Sequence, residues 1–282
     1  TATVSGVGSS WNTGALSVGG DIADSSGDPG NGTLAVSAGG SVTSSSAALG
    51  LNSPDSGTAT IGGSGSIWDV NGTLSVGFNG TGTVTVSDNA RLETAWMIIG
   101  HNANSTGSAT ITSGASLVDA GYLYVGNAGD GTLTVSDGGS VTSVQGYVGT
   151  GSGSDGIATV TGRGSSWTMT DALFVGHNAG STGTMTISDG ATVTDVQGIV
   201  GDLAGSNGSL TVTGAGSTWT SLVTSALYSG DINAGRLGTG SITVSDGGKV
   251  IGNRFYAGNE VGSSGTVVIT GAGSSIAATA AR

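Results

Sequence analysis

The chain has 282 residues, of which 18 are acidic and six basic, giving a formal net charge of −12. Charged residues amount to 9% of the chain, against roughly 25% in ordinary soluble domains. An acidic balance of this kind repels nucleic acids and anionic membranes, which disfavours a phosphate-binding function. The chain contains no cysteine, which excludes disulfides, cysteine–zinc sites and thiol catalysis.

One short phrase recurs along the whole chain. Its clearest copy, GTLTVSDGGSV, begins at Gly131, and the chain enters at Thr1 already one step into a copy. The other copies start at a nearly constant spacing, at Gly32, Gly57, Gly82, Gly107, Gly156, Gly183, Gly208, Gly240 and Gly265. The longest step is the one from Gly208 to Gly240. A period this regular indicates one supersecondary unit stacked on itself, which is a solenoid.

Each repeat predicts three short strands, because apolar residues alternate with a period of two and form columns when the copies are aligned. The first strand contributes Val4, Val36, Ile61, Val86, Ile111, Val135, Val160, Ile187, Val212, Val244 and Ile269, with a second apolar column two positions earlier. The second strand contributes Val42, Trp68, Leu92, Leu117, Val141, Trp167, Val193, Trp219, Val250 and Ile276. The third contributes Val18, Leu49, Val76, Ile99, Val125, Val148, Val175 and Val200, weakening to Ser229 and Ala257.

These columns predict an all-β fold, a single parallel β-helix that runs without interruption over positions 1–282. We expect about eleven coils with roughly 25 residues in each, a length that is usual for the units of a solenoid.

A longer period of two coils is also visible. Copies that contain a tryptophan alternate with copies resembling SDGGSV, and the tryptophans of the repeat are Trp11, Trp68, Trp167 and Trp219. Because these tryptophans share a column with valines, we predict that they belong to the core. Two copies depart from the alternation, with Leu117 and Ile276 at the tryptophan position.

The phrase GTLTVSDGGSV, together with LFVGHNAGSTGTMTISDGATV at 173–193, resembles the repeats of autotransporter passenger domains. More narrowly, it is similar to the type V secretion and PEP-CTERM-associated repeat, and the resemblance covers essentially the whole chain. It implies a right-handed β-helix in a secreted or outer-membrane-attached protein of a Gram-negative bacterium, often a large adhesin. The family defines no catalytic residues to carry over. Because the chain starts inside a copy of the repeat and proteins of this family are often large, we expect it to be a segment of a longer secreted protein.

An outward stripe is the main candidate for a binding surface. The residue between the last two inward positions of the third strand points outward, and from the fourth coil onward it is aromatic or apolar. We predict that partners bind at Tyr124, Tyr147, Phe174, Ile199, Tyr228 and Tyr256. Exposed apolar patches mark partner surfaces, and stacked tyrosines suit sugar rings or another copy of the rod. The alternatives are a loop that covers the stripe and a slip of strand parity at the Gly146 and Gly198 coils.

A second outward array consists of threonines, namely Thr60, Thr85, Thr110, Thr134, Thr159, Thr186, Thr211 and Thr243. A partial second column lies two positions earlier and is interrupted by Ser108, Ile157, Ser209 and Ser241. A T-x-T grid resembles the ice-binding face of antifreeze solenoids. Threonine is also an ordinary outward strand residue that hydrogen-bonds along a ladder.

The sequence predicts no cofactor and no metal centre. His101 and His177 lie three coils apart and cannot share an ion. Recurrent aspartates precede turn glycines and are predicted to cap their own turns; they are Asp88, Asp137, Asp189 and Asp246. A weak surface Ca²⁺ site is the alternative, at Asp24 with Asp28 or at Asp130 with Asp155.

Polysaccharide-degrading enzymes also use β-helices, so an enzyme is a further interpretation. Their chemistry needs paired carboxylates or a carboxylate with a positioned basic group. Only the stretch from Arg236 to Glu260 gathers such residues, and we predict no enzymatic activity.

The sequence as a whole predicts a structural or adhesive segment, a stalk or passenger domain. We expect an extracellular or outer-membrane location, with glycans or molecules on host or neighbouring cells as partners. End-to-end or lateral self-association is a further expectation, because the end coils leave strand edges unpaired. We expect no nucleic-acid partner and no membrane insertion by this segment.

Overall fold

The computed structural model of the chain describes residues 1–20, 28–224 and 229–279, and all regular structure within these ranges is β-strand. None of it is a helix of the kind that could cross a membrane. The first four coils have two strands each: β1 (Ala2–Ser5), β2 (Ser10–Val18), β3 (Asn31–Ser37), β4 (Ser41–Leu49), β5 (Ser56–Gly62), β6 (Ile67–Val76), β7 (Thr81–Ser87) and β8 (Arg91–Ile99).

The next six coils have three strands each, and a final partial coil has two. The strands of these six coils are β9 (Thr106–Ile111), β10 (Ser116–Asp119), β11 (Tyr122–Val125), β12 (Asp130–Val135), β13 (Ser140–Ser143), β14 (Gln145–Val148), β15 (Asp155–Thr161), β16 (Ser166–Met169), β17 (Ala172–Val175), β18 (Thr182–Ser188), β19 (Thr192–Asp195), β20 (Gln197–Val200), β21 (Asn207–Thr213), β22 (Thr218–Ser221), β23 (Asp231–Ala234), β24 (Thr239–Ser245), β25 (Lys249–Gly252) and β26 (Phe255–Ala257). The partial coil contributes β27 (Ser264–Thr270) and β28 (Ser275–Ala278).

The first strand of every coil belongs to one parallel sheet of eleven strands, in the order β1-β3-β5-β7-β9-β12-β15-β18-β21-β24-β27. Its register aligns the repeat starts, so that Gly131 pairs with Gly107 on one side and Gly156 on the other. The remaining strands form the second face of the solenoid. The predicted all-β solenoid of parallel strands, with one coil for each sequence repeat, is therefore confirmed.

The prediction of three strands per coil is wrong for the first four coils. There the second and third strands run on as a single strand of 9 or 10 residues. Two of these long strands take the corner through a register shift, between Ser44 and Ala47 and between Val70 and Thr73. A bulge bends a strand without ending its ladder, which explains why the corner leaves the strand unbroken.

The interior is filled by the predicted apolar columns, with Ile61, Val86, Ile111 and Val212 among its fully buried members. In the third column the register places Ala234, and not Ser229, between Val200 and Ala257. The repeat from Gly208 to Gly240 is the longest, and its extra residues lie before β23. The sequence alignment therefore placed Ser229 where the structure has Ala234, five positions later. Among the described residues the last coil is paired on one side only, and Ile269 is 51% exposed.

Trp68, Trp167 and Trp219 are fully buried, which confirms their assignment to the core. Each indole N–H donates to a polar side chain of the preceding coil. Trp68 Nε1 donates to Ser44 Oγ at 3.2 Å, and Trp167 Nε1 donates to Ser143 Oγ at 3.1 Å. These bonds satisfy the one polar atom that each indole takes into the interior.

Asp195 serves the same purpose for Trp219, whose Nε1 donates to its Oδ2 at 2.5 Å, while Ser221 Oγ donates to its other oxygen. Burial raises the pKa of Asp195 to about 7, and these two hydrogen bonds act in the opposite direction. Burial likewise raises the pKa of Asp119 to about 7, opposed by the backbone N–H groups of Gly121 and Met97.

The tryptophans fit because the preceding coil has a small residue beneath the ring. A Cβ added to Gly146 would lie 2.6 Å from Trp167 Cζ2, and one added to Gly198 would lie 2.2 Å from Trp219 Cζ2. Where leucine or isoleucine replaces the tryptophan, at Leu117 and Ile276, the matching position of the preceding coil holds Met97 or Phe255. The two-coil period is thus an alternation of large and small side chains at one place in the core.

Candidate functional site

The outward position of the third strand forms a ladder along the second face. The register places Ile98, Tyr124, Tyr147 and Phe174 in consecutive coils. The rings of Tyr124 and Tyr147 are stacked with centroids 4.8 Å apart, and those of Tyr147 and Phe174 with centroids 4.9 Å apart. All three rings are half-buried, so the ladder presents mainly ring edges and hydroxyl groups outward.

Beyond Phe174 the ladder differs from the prediction. Its next members are Ile199, Asn233 and Tyr256. Ile199 is only 3% exposed, because it is smaller than the phenylalanine beside it and is enclosed by its neighbours. Asn233 occupies the place predicted for Tyr228, which lies outside the described residues. The same misplaced insertion before β23 accounts for this error.

Three aromatic side chains beside the ladder were missed by sequence reasoning. Trp96 lies 5.1 Å from Tyr122 between ring centroids, and Tyr122 lies 6.1 Å from Tyr147. His177 contacts Tyr147 and Phe174 edge-on, at 5.2 and 4.9 Å. A usable signal was present for Tyr122, which precedes Tyr124 by two positions and so shares its face.

Two buried carboxylates hold two arginines at the edge of the ladder. Asp202 Oδ2 lies 2.7 Å from His177 Nδ1, and its other oxygen pairs with Arg236 Nε. Asp231 accepts two bonds from Arg254, through Nε and Nη2, each at 2.8 Å. Both carboxylates are almost completely buried while the arginines remain partly exposed. The bidentate contact with Asp231 fixes the direction of the Arg254 guanidinium group.

The hydroxyl groups of Tyr124 and Tyr147 are neutral hydrogen-bonding groups. Burial raises the pKa of Tyr147 to about 12, with further contributions from Tyr124 and Tyr122. Burial also raises the pKa of Tyr124. The Tyr147 hydroxyl donates to Gln145 Oε1 at 2.6 Å, which orients it along the surface.

A notch interrupts the ladder between Phe174 and Tyr256. We call it the ladder notch. It is an open cavity of about 520 Å³, within the range of roughly 300–1,000 Å³ that is usual for ligand sites. Ile199 and Asn233 form its floor, and its other lining residues are Gln197, Asp231, Arg236, Asn259 and Glu260.

The eight predicted threonines form one unbroken column on the first face, from Thr60 to Thr243, since each pairs with the next in register. The column two positions earlier is interrupted, and Ile157 within it is 46% exposed. In the column two positions later, hydroxyl groups form hydrogen bonds between coils, and Ser188 Oγ donates to Thr161 Oγ1 at 2.8 Å.

The turn aspartates make hydrogen bonds within their own turns and also between coils. Within the turn, Asp88 and Asp189 accept from the hydroxyl group of the preceding serine, at 2.9 and 3.1 Å. The turn aspartates adopt the left-handed conformation, with φ of 48° at Asp137 and 55° at Asp189. Asp189 Oδ2 accepts from Thr161 Oγ1 of the preceding coil at 2.9 Å, and Asp137 accepts from Thr112 in the same way. The carboxylates of Asp137 and Asp189 therefore link coils.

The described part of the chain contains no group of three or more histidine, aspartate or glutamate side chains placed to hold a metal. Of the predicted calcium pairs, Asp130 Oδ1 accepts from the backbone of Asp155 at 3.2 Å, and Asp24 lies outside the described residues. The two histidines have separate partners, because His101 Nδ1 lies 2.8 Å from Ser75 Oγ while His177 faces Asp202.

No family model matches the chain, and no curated protein matches it. Among solved structures, the chain is similar to the crystal structure of a TibA fragment hyper-glycosylated by TibC, at 20% sequence identity over 98% of each chain. The TM-score is 0.31. This likeness assigns no function to the chain.

Proposed function

We propose that the chain is a rigid segment of a bacterial cell-surface or secreted protein, and that it binds glycans through the aromatic ladder of its second face. The observation that carries the proposal is the stacked series Tyr124, Tyr147 and Phe174, flanked by Trp96 and Tyr122 on an outward face. An aromatic cluster of this size with polar tips at its rim is typical of a partner surface. The repeat resemblance supports an extracellular location.

Rigidity follows from the continuous ladders, since each inner coil is fixed by two neighbours. Eleven strands at a spacing of about 4.8 Å give a rod roughly 50 Å long. A spacer of this kind holds an adhesive surface at a defined place along its length. Because its inner coils rarely unfold locally, the rod would also resist proteolysis.

Two carboxylates at the edge of the ladder are held in ion pairs, which favours binding over catalysis at these positions. Asp202 and Asp231 are each engaged by an arginine. A general acid or base needs a carboxyl group that can exchange a proton with substrate, and these two are occupied in positioning Arg236 and Arg254. We therefore propose no enzymatic activity for this segment.

The proposal is tested on a glycan array with the wild-type chain and the variant Tyr124→Ser/Tyr147→Ser. We expect the variant to lose binding while its circular dichroism and melting curve keep the wild-type form. Thr134→Ser/Thr159→Ser, on the first face, is the matched control and should bind as the wild type does. Unchanged binding by the tyrosine variant would refute the ladder as the site. If none of the three proteins binds any glycan on the array, the result would favour a spacer without adhesive activity.

Ice binding is the second candidate, favoured by the unbroken column of eight threonines. The interruption of the neighbouring column, including the exposed Ile157, weakens the match to a regular T-x-T grid. Thermal hysteresis at millimolar protein concentration is the test, and its absence would dismiss this function.

A further inference from the structure

We propose that the ladder notch between Phe174 and Tyr256 is the binding site of a neutral oligosaccharide. This inference rests on the proposed glycan-binding function and specifies where the ligand lies and which charge class it belongs to. Four features of the notch carry it: the aromatic wall, the amide on the floor, the charges of the rim and the pairing of the strands beneath.

Phe174 offers the notch an aromatic face. Tyr147 covers one side of its ring at 4.9 Å with an angle of 7° between the planes. The other side is directed toward the next coil, where the register places Ile199 and not another ring. Within the stack the ring faces cover one another and only edges and hydroxyl groups are left for a ligand, so the end of the stack is where a ligand can also meet a ring face. The apolar face of a sugar ring fits such a surface.

The far wall of the notch is Tyr256, three coils beyond Phe174 and so about 14 Å away along the rod. Between them the ladder positions hold only Ile199 and Asn233, which are 3% and 4% exposed. The interruption therefore has a flat, recessed floor with an aromatic side chain at each end. This shape admits sugar rings between the two walls.

The floor carries an amide group. Asn233 lines the cavity and is 4% exposed, and its amide atoms are open to solvent there. Sugar hydroxyl groups, which both donate and accept, can replace water at this amide. Gln197 and Asn259 place two further amides around the same cavity.

The charges around the notch favour an uncharged ligand. Arg236 is neutralised by Asp202, and Arg254 by Asp231. Glu260 adds a carboxylate that pairs with no arginine or lysine among the described residues. With a chain net charge of −12, the field at the notch opposes sialic and uronic acids.

The pairing beneath the notch disfavours a peptide as the occupant. A peptide commonly binds by adding a strand to a free sheet edge. The floor strands β20 and β23 are paired on both sides, β20 with β17 and β23, and β23 with β20 and β26. The floor offers side chains and no free backbone edge, which suits a saccharide.

The test compares Asn233→Tyr with the wild type. Tyrosine at this position would continue the ladder and fill the notch, while leaving Tyr124, Tyr147 and Phe174 in place. We expect neutral oligosaccharides to bind at least about tenfold more weakly by array and titration calorimetry. Asn233→Ala, which keeps the notch open and removes only the amide, should weaken binding about fivefold. Ala48→Tyr, a matched substitution in the same outward column near the other end, should leave binding unchanged.

The array carries neutral oligosaccharides and the same cores ending in sialic or uronic acid. Binding of the neutral set, lost in Asn233→Tyr and retained in Ala48→Tyr, would support the proposal. Retained binding in Asn233→Tyr, with loss in Tyr124→Ser/Tyr147→Ser, would overturn the notch and leave the ladder as the site. Preference for the acidic set, or binding to a protein and to no oligosaccharide, would overturn it as well. If the wild type binds no glycan, the proposed function itself fails.

Discussion

Replacing Gly198 by alanine tests the alternation of large and small side chains in the core. The backbone of Gly198 is not in the left-handed region, so alanine is conformationally acceptable there. Its Cβ would, however, lie 2.2 Å from Trp219 Cζ2 and 2.9 Å from Cη2. Because the indole is fully buried and tightly packed, the strands on either side must shift to accommodate the methyl group.

The expected loss of unfolding free energy for Gly198→Ala is about 1–3 kcal/mol, the usual cost of overpacking. Trp219→Leu should cost about 2–4 kcal/mol, since it leaves a cavity and removes the indole donor from Asp195. In the double variant the leucine vacates the space that the alanine methyl group enters. We therefore expect the double variant to be more stable than the sum of the single losses by about 1–2 kcal/mol.

Urea unfolding followed by circular dichroism, on all four proteins of the cycle, measures this coupling. Gly14→Ala is the matched control, because a Cβ at Gly14 meets nothing within 4 Å; its effect should stay within about 0.5 kcal/mol. Strictly additive losses in the cycle would refute the idea that Gly198 exists to make room for Trp219.

Three further predictions concern titration, ion pairing and association. The pKa of Asp195 is raised from 3.8 to about 7 on folding, so its contribution to stability is fully present below about pH 4 and is lost as the pH rises through about 7. The melting temperature should accordingly fall between about pH 4 and pH 7, and less so in Asp195→Asn; an equal fall in both proteins would contradict this. Asp202→Asn should lower the unfolding free energy by about 1–3 kcal/mol, because it weakens a buried, charge-assisted contact. Glu93→Gln, at an exposed ion pair, should lower it by at most about 1 kcal/mol. Similar losses for the two variants in chemical denaturation would argue against a difference between buried and exposed pairs. Val267→Lys with Ile269→Lys should reduce self-association in sedimentation velocity, since both apolar side chains are exposed on the edge strand β27, and an unchanged distribution would exclude this end as the contact.

The fold followed from the sequence because the signal repeats. One apolar residue proves little, but columns such as Val36, Ile61 and Val86 recur at a fixed step, and only a stacked strand places them together. The tryptophans could be assigned to the core for the same reason. The small residues that receive them were open to the same reasoning, since Gly146 and Gly198 replace the leucine found at Leu173.

The site was less accessible because it depends on register across an insertion. The extra residues of the longest repeat precede β23, and alignment by the nearest apolar pattern chose Tyr228 where the ladder has Asn233. Asp202 and Arg236 are far apart in sequence, and their pairing becomes visible only when the coils are in their correct register. The aromatic half of the ladder, in contrast, lies in coils of 24 to 27 residues, where the repeat is nearly regular.

The matching of tryptophan and glycine between coils restricts how a gene for such a rod can change in length. Removing one coil between Gly183 and Asn207 would place Trp219 directly after the coil of Trp167, above Leu173 in place of Gly198. The ring and the leucine would compete for one space, whereas removal of two coils would restore a compatible pair. Unequal recombination among these repeats should therefore leave viable products in steps of two coils, about 10 Å of rod at a time. Natural length variants, on this reasoning, differ by even numbers of coils.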